Sequence, residues 1–247
     1  MTFFFRLLRR DCLQALRYTR LWFCSYWLPV AIMFGVATFA GFVWLVPFDG
    51  SSFFVLRPKD TALNQGVKET AQAFSYWGDF AGFNVFLFAL LQAVGWVLRS
   101  RWFMRMAVAS LLCATLAGLS ANVLRCATGR PRPSTQVEDR LHGPSFKSAY
   151  QALPSAHTAT AFGGALPVLL SVPSLGTPLT LVAGAVGWSR MQLNRHHLTD
   201  VLASVLIALV FSLPLTHWAA RGRLRNAASA SSATHPRHAL VSPRSPQ

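Results

Sequence analysis

The chain has 247 residues, 53% hydrophobic and 13% charged, against about 25% charged in a typical soluble domain. With a mean hydropathy of +0.37, these figures exclude an ordinary soluble globule and point to several helices in a bilayer. The net charge of +15 does not require nucleic acid, because the basic residues cluster at the ends of apolar runs, as topology signals and anionic-lipid contacts do.

In chain order, residues 1–20 place Arg6, Arg9, Arg10, Arg17 and Arg20 among aromatic and aliphatic side chains and read as an amphipathic helix on the membrane surface. Residues 21–48 are uncharged, too long a run for a signal-peptide core, and read as a retained first span in which Pro29 is tolerated. Residues 49–79 form a polar stretch with Arg57, Lys59, Asp60, Lys68 and Glu69, and an amphipathic interfacial helix is expected over Thr61–Trp77. Two more uncharged runs, 80–98 and 106–124, flank a short basic loop. Residues 125–156 form a second polar loop that opens RCATGRPRP, where proline and glycine disfavour regular structure.

Residues 158–189 carry no charge over 32 positions. One helix of that length would extend about 48 Å, well beyond a hydrocarbon core of roughly 30 Å. The PSLGTP stretch, 173–178, is therefore expected to divide it into two spans. Residues 201–220 form the last span, and 221–247 read as a disordered basic tail. The expected fold is an all-α, polytopic membrane bundle of about six transmembrane helices, with residues 21–220 as its domain and residues 1–20 as the amphipathic segment. Cys12, Cys24, Cys113 and Cys126 show no metal-binding spacing, so neither a disulfide nor a cysteine-bound metal is expected.

Three polar segments carry chemistry. The first contains Arg125 and Arg132 around a Gly-Pro turn, the second is LPSAH ending at His157, and the third is SRMQLNRHHLTD from Ser189 to Asp200. Ionisable groups beside apolar spans are costly and mark function by default. Ser155 falls where a helix should begin, and a helix N-terminus offers free N–H groups and a positive dipole end to an anion. Arg125, Arg132 and Arg190 add guanidinium forks that match phosphate oxygens. If the last span begins near His196, Asp200 lies one turn away on the same face and can hold the imidazole by one nitrogen. Two histidines can then divide covalent attack and proton transfer.

These segments resemble the three signature motifs of the type 2 phosphatidic acid phosphatase (PAP2) superfamily. The family pattern is Lys, six residues, Arg-Pro; then Pro-Ser-Gly-His; then Ser-Arg, five residues, His, three residues, Asp. This chain matches from Arg125 through Arg132-Pro133, at Pro154-Ser155-Ala156-His157, and from Ser189-Arg190 through His196 to Asp200. It departs at Arg125, where the family has lysine, and at Ala156, where it has glycine. The resemblance implies that His196 is the nucleophile, forming a phosphohistidine, and that Asp200 orients it. His157 is then the general acid and later the base that activates water. Arg125, Arg132, Ser155 and Arg190 bind phosphate, with no metal and no cofactor.

The implied activity is hydrolysis of a lipid phosphate monoester or diphosphate, with undecaprenyl diphosphate, phosphatidylglycerol phosphate, phosphatidic acid and lipid A phosphate as candidates. A lipid-to-lipid phosphotransferase and a non-catalytic lipid-binding or transport protein are the alternatives. The partner is a lipid phosphate, not nucleic acid, and the oligomeric state is open. Basic residues number 13 on the side of the termini and 10 on the other. This excess places both termini in the cytoplasm and the site on the periplasmic face of a bacterial inner membrane. Arg130 is read as structural or lipid-facing, and His197, His142, Lys147 and His217 as bystanders.

Overall fold

The computed structural model describes residues 2–49, 55–56 and 58–234, so Arg57 and the end of the tail lie outside the described residues. Among the described residues seven α-helices follow in order: α1 (Thr2–Asp49), α2 (Thr61–Trp77), α3 (Val85–Val97), α4 (Arg101–Thr128), α5 (Ala156–Ser171), α6 (Pro173–Gln192) and α7 (Leu198–Thr234). A π turn over Phe80–Asn84 leads into α3. The described residues contain no strand. Among the described residues, four stretches are long and apolar enough to cross a membrane: Phe4–Gly41, Phe80–Val97, Arg101–Thr135 and Leu198–Arg221. The apolar window of α1 is unburied by other helices, and Trp27, Val36, Phe39 and Trp44 stand exposed along it. Side chains of this kind belong against lipid.

The uncharged run over 158–189 does divide, at Val172, one residue before Pro173 opens α6. The resulting helices have 16 and 20 residues, or about 24 and 30 Å at 1.5 Å per residue. Two expected boundaries differ. The amphipathic N-terminal segment and the first span form the single helix α1 with no break near residue 20. The last span continues to Thr234, so the stretch expected to be disordered from residue 221 starts as helix. The first extension is rich in leucine and arginine with no proline or glycine, and the second is rich in arginine and alanine, residues that favour helix once a span has nucleated it.

α4 packs on α5 and α7, α5 on α6 and α7, α1 on α7, and α2 on α6. The α4–α5 contact is made by small side chains. Ala117 and Ala121 meet Ala156 and Ala159 in one buried cluster, and a β-carbon on Gly163 would lie 2.7 Å from the Ala114 Cα. Small residues let helices approach closely where no hydrophobic effect drives them together. Replacing Gly163 by leucine should force these helices apart and cost about 1–3 kcal/mol. Thermal unfolding in detergent should show a lowered Tm, and an unchanged Tm would refute the close approach.

Alternating helix directions bring several ends to one face. The C-terminal ends of α1, α4 and α6 and the N-terminal ends of α5 and α7 meet there, together with α2. At the other end, Arg101 pairs with Asp11 at 3.1 Å and Tyr18 meets His217 Nδ1 at 3.0 Å.

Candidate active site

Arg125 lies in the last turn of α4, not in a loop. A cation suits a helix C-terminus, where the peptide dipole is negative. Gly129 ends the helix at φ +58, and a side chain there would strike the Gly143 carbonyl. Glycine is therefore required twice, for conformation and for space. Beyond it the chain is held by backbone bonds from Arg132 N–H to Ala149 O (2.9 Å) and from Ala152 N–H to Arg130 O (3.1 Å). These bonds fix both arginines relative to the LPSAH segment.

Ser155 caps α5, its hydroxyl oxygen accepting from the Thr158 hydroxyl (2.9 Å) and N–H (3.4 Å). Its own N–H donates to Ser204 Oγ at 2.8 Å, tying α5 to α7. Ala156 starts α5 without a positive φ and packs into the cluster with Ala117 and Ala121, so its methyl group is accommodated. His157 is partly exposed, with Nε2 3.8 Å from Asp79 Oδ1. Asp79 also caps the π turn by accepting from Phe80 N–H at 2.8 Å. It lies outside the three motifs, and its only sequence signal is its place as the last acid before an apolar run.

His196 is buried, but it precedes α7 instead of lying on it. Its Nδ1 is 2.6 Å from the Ala152 carbonyl and 3.8 Å from Asp200 Oδ2. A carbonyl oxygen only accepts, so Nδ1 carries the proton and Nε2 keeps its lone pair. Burial pushes the imidazole below its ordinary range, opposed by Asp200, so His196 is neutral at pH 7 with a nucleophilic nitrogen free. Asp200 therefore does not share a helix face with His196. Its Oδ2 accepts from the His197 N–H at 2.7 Å, as a residue in the first helical turn does in a capping box.

Asp200 Oδ1 is held instead by Arg130, whose NH1 donates at 2.6 Å. Arg130 is only 2% exposed. It also pairs with Asp49 at 2.8 Å and with Asp139, and it donates to the Thr199 hydroxyl at 2.6 Å. The lipid-facing alternative for this residue is therefore corrected, since its guanidinium points inward to three carboxylates. Burial would raise the Asp139 carboxyl, but Arg130 more than offsets this and holds it below the usual range. Asp49, the last residue of α1, accepts from Thr199 N–H at 2.9 Å and so caps α7. The His197 Nε2 lies 3.9 Å from Asp139 Oδ1 beside this network.

Asp49, Asp139 and His197 bring ligand atoms within 4.8 Å of one another, an acidic cluster the linear sequence does not reveal. Its counter-cation is the Arg130 guanidinium.

The outer wall is cationic. A cavity of about 870 Å³ is lined by Arg132, Arg190, His157, Arg195, Lys68 and Asp79, among others. A second, of about 390 Å³, holds Arg125 and shares His157 and Asp79 with the first. Arg190 donates to Ser75 Oγ of α2. The Nε atoms of Arg125, Arg132 and Arg190 are buried with no hydrogen-bond partner among the described residues. Six of the seven expected site residues border these cavities or touch one another: Arg125, Arg132, His157, Arg190, His196 and Asp200. Ser155 reaches the group through its backbone, its N–H lying 3.4 Å from the Asp200 carbonyl.

The helical core gathers arginines and two histidines at one face, a set of groups suited to phosphate oxygens. Residues 106–223 match the model of the PAP2 superfamily, and this part of the chain belongs to that superfamily, whose members are phosphatases. No curated protein and no solved structure gave a match.

Removing the Arg130 cation should leave buried carboxylates uncompensated, at a cost of about 3–5 kcal/mol. Arg130→Met should lower the Tm in detergent far more than Asp139→Asn, which keeps the cation and two of its acids. Equal small losses for the two variants would show that the network carries no stability.

Proposed function

We propose that the protein is a metal-independent phosphatase acting on a membrane lipid phosphate through a phosphohistidine. The observation that carries this reading is the set of three buried guanidinium Nε donors on Arg125, Arg132 and Arg190. Buried donors are normally paired, and tetrahedral phosphate oxygens supply matching acceptors. Ser155, whose oxygen already accepts from Thr158, has its O–H left to donate.

His196 Nε2 attacks phosphorus, and the P–O bond to the leaving group breaks as His157 gives its proton to the departing oxygen. Water then attacks the phosphohistidine, His157 takes the water proton, and phosphate leaves. Burial and the Arg190 cation push His157 down to about 4 against the pull of Asp79 at 3.8 Å, and the negative charge of a bound phosphate acts with Asp79 to favour its protonated form. Asp200 adds its field behind His196, while the Ala152 carbonyl sets the tautomer. Residues 21–220 constitute the catalytic domain in this reading. It lies in a bacterial inner membrane with both termini cytoplasmic and the site periplasmic.

The two histidines should fail at different steps. His196→Ala should abolish both phosphoenzyme and product. His157→Ala should lose about 10²–10⁴ in rate on an alkyl phosphate, recover the first step on an aryl phosphate, and accumulate phosphoenzyme on rapid quench. Wild-type activity should survive chelator and be inhibited by vanadate, which adopts the five-coordinate geometry of the transition state. Phosphoenzyme retained in His196→Ala, or activity that needs a divalent ion, would overturn the mechanism.

Orientation has its own test. Cysteines substituted at Glu138 and Phe146 in the loop before α5, both exposed, should react with a membrane-impermeant maleimide in intact spheroplasts. Reaction only after permeabilisation would reverse the topology.

A further inference from the structure

The end of the bundle opposite the candidate active site carries its own cationic cavity. It measures about 560 Å³ and is bordered by Arg17 and Tyr18 of α1, Arg105 of α4, and Trp218 and Arg221 of α7, among others. Among the described residues its lining holds no carboxylate. Asp11, at the same end of the bundle, is buried and engaged by Arg101 at 3.1 Å. The cavity cations are held over aromatic rings. Arg105 Cζ lies 5.2 Å from the centre of the buried Trp218 ring, and Arg221 Cζ lies 5.0 Å from that of Tyr18. Tyr18 is itself fixed, its hydroxyl 3.0 Å from His217 Nδ1. A guanidinium stacked in this way is held through its face, and its N–H donors project from its edge.

The depth of these arginines points to the ligand. Arg105 directly precedes the apolar run 106–124, Arg221 directly follows 201–220, and Arg17 lies one turn before 21–48. All three therefore stand where a bilayer passes from hydrocarbon to headgroups. From the cavity, α1 continues as an apolar track. Leu21 lines the cavity, and Leu21, Leu28 and Ile32 are all exposed, with spacings of seven and four that put them on one helix face. The groups thus fit an anion at headgroup depth that carries an apolar chain.

We propose that Arg17, Arg105 and Arg221 hold the phosphodiester headgroup of an anionic phospholipid in the leaflet opposite the catalytic face. Leu21, Leu28 and Ile32 are the track for its acyl chain. This lipid is a resident ligand and not a substrate, because His157 and His196 lie at the other end of the bundle. Its headgroup bridges three helices. The apolar window of α1 is unburied by other helices, so a lipid that ties Arg17 to Arg105 and Arg221 holds α1 on α4 and α7. At the far end of α1, Asp49 makes the corresponding tie to Arg130 and to the start of α7.

The test titrates the full chain in dodecyl maltoside micelles with dioleoylphosphatidylglycerol, dioleoylphosphatidylcholine or sodium phosphate and reads the Tm. Phosphatidylglycerol at about a hundredfold excess over its Kd should raise the Tm by about 5–10 °C. The zwitterionic lipid and inorganic phosphate should give little of this shift. Arg17→Gln and Arg221→Gln should each weaken the lipid about tenfold, read as the concentration that gives half the shift. Arg20→Gln removes an exposed arginine of α1 that does not line the cavity and should leave that concentration unchanged. Each shift is measured against the same variant without lipid, so a lowered starting Tm does not enter it. An equal shift with phosphatidylcholine or with inorganic phosphate would overturn the proposal. So would a shift that survives both cavity substitutions, or an equal loss on Arg20→Gln, which would mark diffuse surface charge.

Discussion

The Arg130 guanidinium is the contact on which the site end of the bundle depends. A buried cation is tolerable only when paired and hydrogen-bonded, and Arg130 meets Asp49 from α1, Asp139 from the long loop and Asp200 from α7. Three carboxylates around one guanidinium leave the interior negative. The cavity walls are positive, through Arg125, Arg132 and Arg190. In the proposed mechanism the acidic cluster favours positive charge on the His196 ring as it attacks, and the cationic wall draws the phosphate in.

The bundle delivers these groups by its helix ends. α4 presents Arg125 at its C-terminus and α5 presents Ser155 and His157 at its N-terminus, and the alanine- and glycine-rich seam between the two helices sets how near they come. α6 carries Arg190 in its last turn and α7 starts two residues after His196. Changes along the seam should thus act on catalysis by moving whole helix ends, even where no altered atom touches substrate.

Much of the site was legible because the chemistry is written in short segments with fixed internal spacing. Arg125, Arg132, His157, Arg190, His196 and Asp200 all fall at the same face, as those segments imply. The support behind them was not legible. Asp49 and Asp200 are 81 and 70 positions from Arg130, and no local pattern marks a pairing across such distances. The His196–Asp200 spacing looked helical, but the helix starts two residues after His196, and a backbone carbonyl from another segment holds the ring. The N-terminal arginines suggested a surface helix ending near residue 20, yet nothing in that stretch breaks a helix, so it runs into the span.

The cap that Asp49 places on α7 has a bearing on where the protein can be cut. The superfamily match opens at residue 106, yet the carboxylate that stoppers the start of α7 and shares Arg130 comes from the far end of a 48-residue helix that precedes it. Evolutionary module and folding module thus have different edges in this chain. The leading helix acts as a sealing plug for a catalytic core written elsewhere, and a lineage that exchanged it would have to bring along its own acid at that end.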